Sequence, residues 1–172
     1  MLGLVQRAFD PKTRDLACVA GGMGALLAGQ KLLGLGLFAR GIQGLERSWR
    51  ERNEFTGSLE ERWQIATEFY EATHQDPVNR VLHVVGIPLI AGGAAGMLLS
   101  RPFRPVWLAS AGAFTFGWGL NFVGHAVFER KAPAFAEDPL SFFAGPVWDW
   151  KQLRSRGLRR PEGRVVPLED AA

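Results

Sequence analysis

The three histidines of the chain, His74, His83 and His125, all stand beside apolar helical sequence, in FYEATHQDPVNRVLHVVGIP (69–88) and NFVGHAVFERKAP (121–133). Imidazole titrates near neutral pH and is the commonest side-chain metal ligand, so this placement points to ligation or proton transfer. Residues four apart share one row of a helix. Ala113, Gly117, Asn121, His125 and Glu129 form such a row, and Asn79, His83, Ile87 and Ala91 form another. The small residues heading the first row admit a partner helix, and the polar ones then face it. Antiparallel pairing about residues 102–103 sets His83 level with Phe122, with His125 about 4–5 Å further along at about 1.5 Å per residue. His83, His125 and Glu129 then converge, and His74 can fold over them. Two or three imidazoles with a carboxylate suit non-haem Fe(II), with zinc and manganese as rivals. The competing reading makes each histidine, and Asn121, an ordinary interhelical hydrogen-bonding group, with Glu129 paired to Arg130 or Lys131 at an interface. Tyr70 and Arg80 flank the histidines, and packing and snorkelling account for them as readily as chemistry does.

The elements that must position these groups read as helices in or near lipid. The chain has 172 residues, 47% of them apolar, with 21 glycines and 6 tryptophans, a usage that suggests helix packing in a membrane. Its net charge is only +3. The basic residues gather beside apolar runs and in the tail, which fits a membrane surface, and no nucleic-acid motif is present. A single cysteine, Cys18, excludes an internal disulfide and reads as a packing residue. The opening residues lack the pattern of a secretory signal and read as retained.

Asp10-Pro11, Asp76-Pro77 and Asp138-Pro139 each read as a helix start, aspartate capping and proline in the first turn. Between Asp15 and Arg40 the only charge is Lys31. This stretch is expected to be a tilted span, a hairpin broken near Gly34-Leu35-Gly36, or an interfacial helix, with Gly22, Gly29 and Gly36 presenting one close-packing face. A charged connector follows. Ser58 and Glu61 then form a capping box that opens an amphipathic helix, with Leu59, Trp63, Ala66 and Tyr70 on its apolar stripe and Arg62 off it. Residues 81–99, kinked at Pro88 and carrying a glycine patch at 92–96, and residues 106–128 are long and apolar enough to be spans joined by a tight turn. A helix from Pro139, interrupted at Gly145-Pro146, is expected to lie in the interface with Leu140, Phe143, Val147, Trp150 and Leu153 on its apolar side. Arg80, Arg130 and Lys131 place the open end of the hairpin in the cytoplasm.

The expected fold is an all-α membrane protein with a transmembrane helical hairpin (81–99, 106–128), a glycine-rich N-terminal membrane helix and amphipathic interfacial helices. Three regions follow: 1–57, the glycine-rich helix and charged connector; 58–155, a metal-binding membrane domain; and 156–172, a basic polar tail.

Two motifs go further. Tyr70-x3-His74-x2-Pro77-x-Asn79-x3-His83-x4-Pro88 and Gly117-Trp118-x2-Asn121-Phe122-x-Gly124-His125-x2-Phe128-Glu129-x3-Pro133-Ala134, followed by DPLSFFAGPVWDW, resemble the fungal 2-hydroxy-fatty-acid dioxygenase family of phytosphingosine breakdown and its short bacterial relatives. The resemblance runs over residues 69–155 and leaves the N-terminal region outside. It implies a membrane-embedded Fe(II)-dependent dioxygenase, in a bacterial inner membrane, that uses molecular oxygen to remove C1 from a 2-hydroxy fatty acid or related lipid. Carried over, His74, His83 and His125 would be ligands. Glu129 would be a further ligand or would orient one of them, and Arg80 would hold the substrate carboxylate. Tyr70, Asn79 and Asn121 would support the site or the substrate. Two other readings stand beside this: a non-catalytic module whose glycine-rich helices mediate homo-oligomerisation, and a zinc-dependent lipid hydrolase.

Overall fold

The computed structural model describes residues 10–131 and 133–158, and every regular element among them is helical. The opening segment 1–9 and most of the expected basic tail, from 159 onward, lie outside the described residues; residues 156–158 continue the last helix.

Helix α1 spans Pro11–Leu27 and α2 spans Lys31–Arg52. Asp10 caps α1, its side chain accepting the Thr13 N–H at 3.1 Å. The chain reverses at Gly29, whose φ is +78°. Gln30 N–H bonds to Ala25 O at 2.8 Å and Gly29 N–H to Leu26 O at 3.0 Å, the two bonds of a Schellman ending that favours glycine. Of the three arrangements open for this stretch the hairpin is found, but its break falls before Gly34. Gly29 is therefore a turn residue, and Gly22, Gly34 and Gly41 are the close-packing ones. A Cβ on Gly22 would lie 2.6 Å from Phe38 N, and one on Gly41 would lie 2.6 Å from Asp15 O. Gly36 faces open space. Of the expected face Gly22, Gly29 and Gly36, Gly22 alone receives another helix, and that helix comes from the same chain.

Helix α3 spans Leu59–Thr73 and carries the expected capping box between Ser58 and Glu61. Its buried face is Arg62, Ala66 and Tyr70, whereas Leu59 is exposed. Arg62, expected on the wet side, is fully buried because two carboxylates meet it. Asp138 accepts from its two terminal nitrogens at 2.9 and 2.6 Å, and Glu46 of α2 accepts at 3.0 and 2.9 Å. The guanidinium also lies 3.5 Å over the Trp49 ring. Burial works against the charge, but the bonds to Asp138 and Glu46 outweigh it and raise the Arg62 pKa. Asp138 also accepts the N–H groups of Leu140 and Ser141.

Helix α4 spans Pro77–Leu99, capped by Asp76, and Pro88 lies inside one continuous helix. Helix α5 spans Pro105–Val123 and runs into a π-helical turn, Gly124–Glu129. The turn ends at Arg130, which takes the left-handed conformation. The pair α4–α5 is the expected hairpin, and Gly86, Gly93 and Gly117 let its backbones meet: a Cβ on Gly117 would be 2.6 Å from Gly86 O. Gly92, by contrast, has nothing near it. Residues 77–99 and 105–129 are the two helical runs among the described residues long and apolar enough to cross a membrane, with mean hydropathies of 1.9 and 1.2. Helix α6, Ser141–Leu158, passes through Gly145-Pro146 without a break. It buries Ala144, Trp148 and Asp149 and exposes Phe143, Val147 and Trp150; the side chain of Leu153 is outside the described set.

The Arg62 knot joins α2, α3 and the segment before α6. Removing one member of a buried ion-pair network costs about 3–5 kcal/mol because its partners stay buried and unpaired. Arg62→Ala is therefore expected to lose about that much in denaturant unfolding, with partial recovery in Arg62→Ala/Asp138→Asn. A loss under about 1 kcal/mol, as for an exposed pair, would contradict this account.

Candidate metal centre

His74 is the C-cap residue of α3, His83 lies nearly two turns into α4, and His125 lies in the π-helical turn. All three are buried. One ring nitrogen from each falls within 4.8 Å of the others, and the ring centroids are 4.8, 5.0 and 4.8 Å apart in edge-on pairs. His83 Nε2 and His125 Nε2 are 3.2 Å apart.

The helices themselves fix two of the rings. His74 Nδ1 is 2.8 Å from Tyr70 O and His83 Nδ1 is 2.9 Å from Asn79 O, each the carbonyl four residues earlier. A carbonyl only accepts, so each Nδ1 carries the proton and each Nε2 keeps its lone pair. His74 Nε2 is buried with no hydrogen-bond partner. Burial, with His83 alongside, pushes the His74 imidazole down to about 3, so the ring stays neutral. Two nitrogens 3.2 Å apart match a pair bound to one ion at about 2.0–2.1 Å each. The donor set, the two fixed tautomers and the orphaned His74 Nε2 fit a metal ion.

The other expected site residues separate into three groups. Asn79 and Glu129 form a brace: the Glu129 carboxylate accepts from Asp76 N–H at 2.9 Å and from the Asn79 amide at 3.2 Å. Glu129 does not join the histidine cluster. In an unbroken α-helix it would stand above His125, but the wider π-turn carries it toward the start of α4. Asn79 lies between the two, its amide on Glu129 and its backbone carbonyl 2.9 Å from His83 Nδ1. Tyr70 stacks on His74, centroids 3.8 Å apart and planes at 21°, and its hydroxyl donates to Asp149 at 2.8 Å. Burial, with Asp149 adjacent, pushes the Tyr70 phenol well above its usual range. Burial likewise raises Asp149, against the pull of the Tyr70 bond and Arg80. Arg80 lies 4.6 Å over the Trp148 ring and is not among the residues lining the cavity described next. Asn121 does line it, with its side-chain oxygen unpartnered. Asp149 was not singled out from the sequence; a lone carboxylate between two tryptophans on an apolar helix was the available signal.

The cluster opens on a cavity of roughly 440 Å³ lined almost wholly by apolar side chains. From His83 it follows α4 past Ile87, Ile90 and Ala94 to Leu98, about 22 Å at about 1.5 Å per residue.

A family model described as 2-hydroxy-palmitic acid dioxygenase Mpo1-like matches residues 59–156, from the first residue of α3 into α6. No curated protein and no solved structure matches the chain.

Glycine at 124 is demanded by the brace, since a Cβ there would strike the Asn79 side chain. Gly124→Ala should cost about 1–3 kcal/mol in thermal unfolding, whereas Gly119→Ala, with nothing near its added carbon, should be neutral or slightly stabilising. Equal effects at the two positions would show that Asn79 is not held as described.

Proposed function

Because the chain belongs to the Mpo1-like family, we propose that it is an Fe(II)-dependent dioxygenase acting on a 2-hydroxy fatty acid or related lipid and shortening it by one carbon. One observation carries the reading: three buried imidazoles each bring a ring nitrogen to within 4.8 Å of the others at the end of a long apolar cavity. His74, His83 and His125 would hold the ion, and Fe(II), when bound, supplies the dioxygen chemistry that side chains lack. The reaction balances without an external reductant: one 2-hydroxy acid and one dioxygen give the acid one carbon shorter, carbon dioxide and water.

The chain's own residues supply position and environment. The apolar walls hold the hydrocarbon tail and exclude water, which strengthens every polar contact at the head. Asn121, a polar side chain in the cavity wall, would meet the substrate hydroxyl. Tyr70 holds the His74 ring by stacking and by its carbonyl, and Asp149 fixes the Tyr70 hydroxyl. Glu129 positions His83 through Asn79. Arg80, outside the cavity, adds positive charge near the Tyr70–Asp149 pair, and a role in drawing the substrate carboxylate toward that end would be electrostatic.

A lipid substrate fits a membrane setting. Only 28% and 22% of the most apolar stretches of α4 and α5 are buried, and Val81, Val85, Phe116 and Val127 are exposed. In this proposal those faces meet hydrocarbon. Arg130 and Lys131 hold the histidine end of the hairpin at the cytoplasmic surface, by the positive-inside rule.

The test is metal content after anaerobic reconstitution with Fe(II), in wild type, His83→Ala and His125→Ala. Wild type should hold near-stoichiometric iron and both variants should lose it. With 2-hydroxypalmitate the wild type should consume oxygen and yield the acid one carbon shorter. Selective retention of zinc, with hydrolysis and no oxygen uptake, would favour a hydrolase. Folded protein that binds no metal would leave the histidines as helix-packing groups.

A further inference from the structure

The family match begins at residue 59, yet part of the cavity wall comes from before it. Met23 and Leu26 of α1 and Leu35 and Phe38 of α2 line the cavity opposite Ala94 and Leu98 of α4. Leu26 is buried with Ile90, Met97, Trp107 and Phe114, and Met23, Ala94 and Leu98 pack on that cluster, so packed side chains of the hairpin and α4 wall the end of the cavity remote from the histidines. The wall is also anchored. Lys31, at the tip of the N-terminal hairpin, donates to Leu98 O at 2.7 Å and to Ser100 O at 2.6 Å. These are carbonyls at the C-terminus of α4, where a cation complements the helix dipole. Beside it, Gly29 sits so close to Pro102 that a Cβ would come within 2.9 Å. Phe38, against Phe142 with centroids 5.7 Å apart, closes the flank.

We propose that the α1–α2 hairpin is the chain-length determinant of this protein: Met23 and Leu26, held in register by Lys31, stop the acyl tail opposite Leu98. The inference rests on the lipid-oxygenase reading and deepens it. Binding of a tail in such a cavity rises about fourfold with each methylene that finds apolar wall. Once the tail reaches a closed end, a further methylene must displace packed side chains, and the gain becomes a loss.

The experiment compares a series of straight-chain saturated 2-hydroxy fatty acids of increasing length. Relative kcat/KM is measured on the Fe(II)-loaded full chain, and displacement of a bound fluorescent fatty acid is measured in parallel with the same acids and their unhydroxylated counterparts. Met23→Ala and Leu98→Ala open the closed end and should move the preferred length up by about two carbons, the space of the atoms removed. Ala94→Leu fills it and should lower the longest acids about tenfold or more relative to the shorter ones. All three should keep wild-type iron content, since they stand far along α4 from the histidines. A longer preferred length in Met23→Ala, with the opposite shift in Ala94→Leu, establishes the hairpin as the stop; shifts confined to the two α4 variants, with Met23→Ala unchanged, overturn it. An unchanged length profile in all three, with wild type active, overturns it and leaves the oxygenase reading intact. If wild type turns over no 2-hydroxy acid, that reading fails by itself. The displacement profiles of the unhydroxylated acids then decide the inference: shifted by the variants they uphold the stop, and unshifted they refute it. Should Met23→Ala melt before assay, the milder Leu26→Val reads the same end from the hairpin side.

Discussion

A buried imidazole has two nitrogens to satisfy, and the site depends on how the first is used. In His74 and His83 the Nδ1 proton is committed to the carbonyl one turn back in the residue's own chain, at 2.8 and 2.9 Å. That bond sets the tautomer, the ring plane and the direction of the remaining lone pair at once, with no need for a separate orienting side chain. The geometry of the site is thus inherited from helix geometry, and whatever fixes α3 and α4 relative to α5 fixes the three imidazoles. The Glu129–Asn79 brace, the Tyr70–Asp149 bond and the glycines that let α4 and α5 touch all serve that one requirement.

How much of this could be read from the sequence depended on how local the cause was. Asp10-Pro11, Asp76-Pro77 and the Ser58–Glu61 pair act within one helical turn, and each forms the cap its residues imply. The approach of His83 to His125 followed from helix period and a tight turn, because α4 and α5 are regular up to the point where they meet. Glu129 escaped the same reasoning because the helix changes pitch between His125 and it, and a row of residues four apart holds only in an α-helix. Arg62 was misread for a different reason. A charge on an amphipathic helix belongs on the wet face unless its counter-charges come from distant sequence, and Glu46 and Asp138 do. Gly29 looked like a packing glycine by spacing, and only its left-handed backbone reveals a turn. The inward carboxylate of Asp149 depended on which face of α6 is covered, which is set by α3.

The molecule divides into two parts that meet along the cavity. The histidines, their braces and the hairpin of apolar helices fall within the family-matched residues. The N-terminal hairpin lies outside the match and supplies wall, not chemistry. Its two helices pack through glycine at almost backbone contact, so it is thin for its length and can lie along α4 without adding much bulk. Chemistry and shape can therefore vary independently in such a design: ligands constrain the one, and close-packed glycines with a few large apolar side chains set the other.

The Arg62 knot has a consequence in the order of synthesis. Its partners are Glu46, made early, and Asp138, made after the histidine-bearing helices. Until residue 138 emerges, α2 and α3 hold an arginine with only half of its counter-charge, and the charge of so exposed a guanidinium stays hydrated. The last turn of the lock closes only when the sequence that contains all three histidines has been produced. The network that ties α2 and α3 to the segment before α6 is therefore completed only by residues that follow all three histidines in the chain.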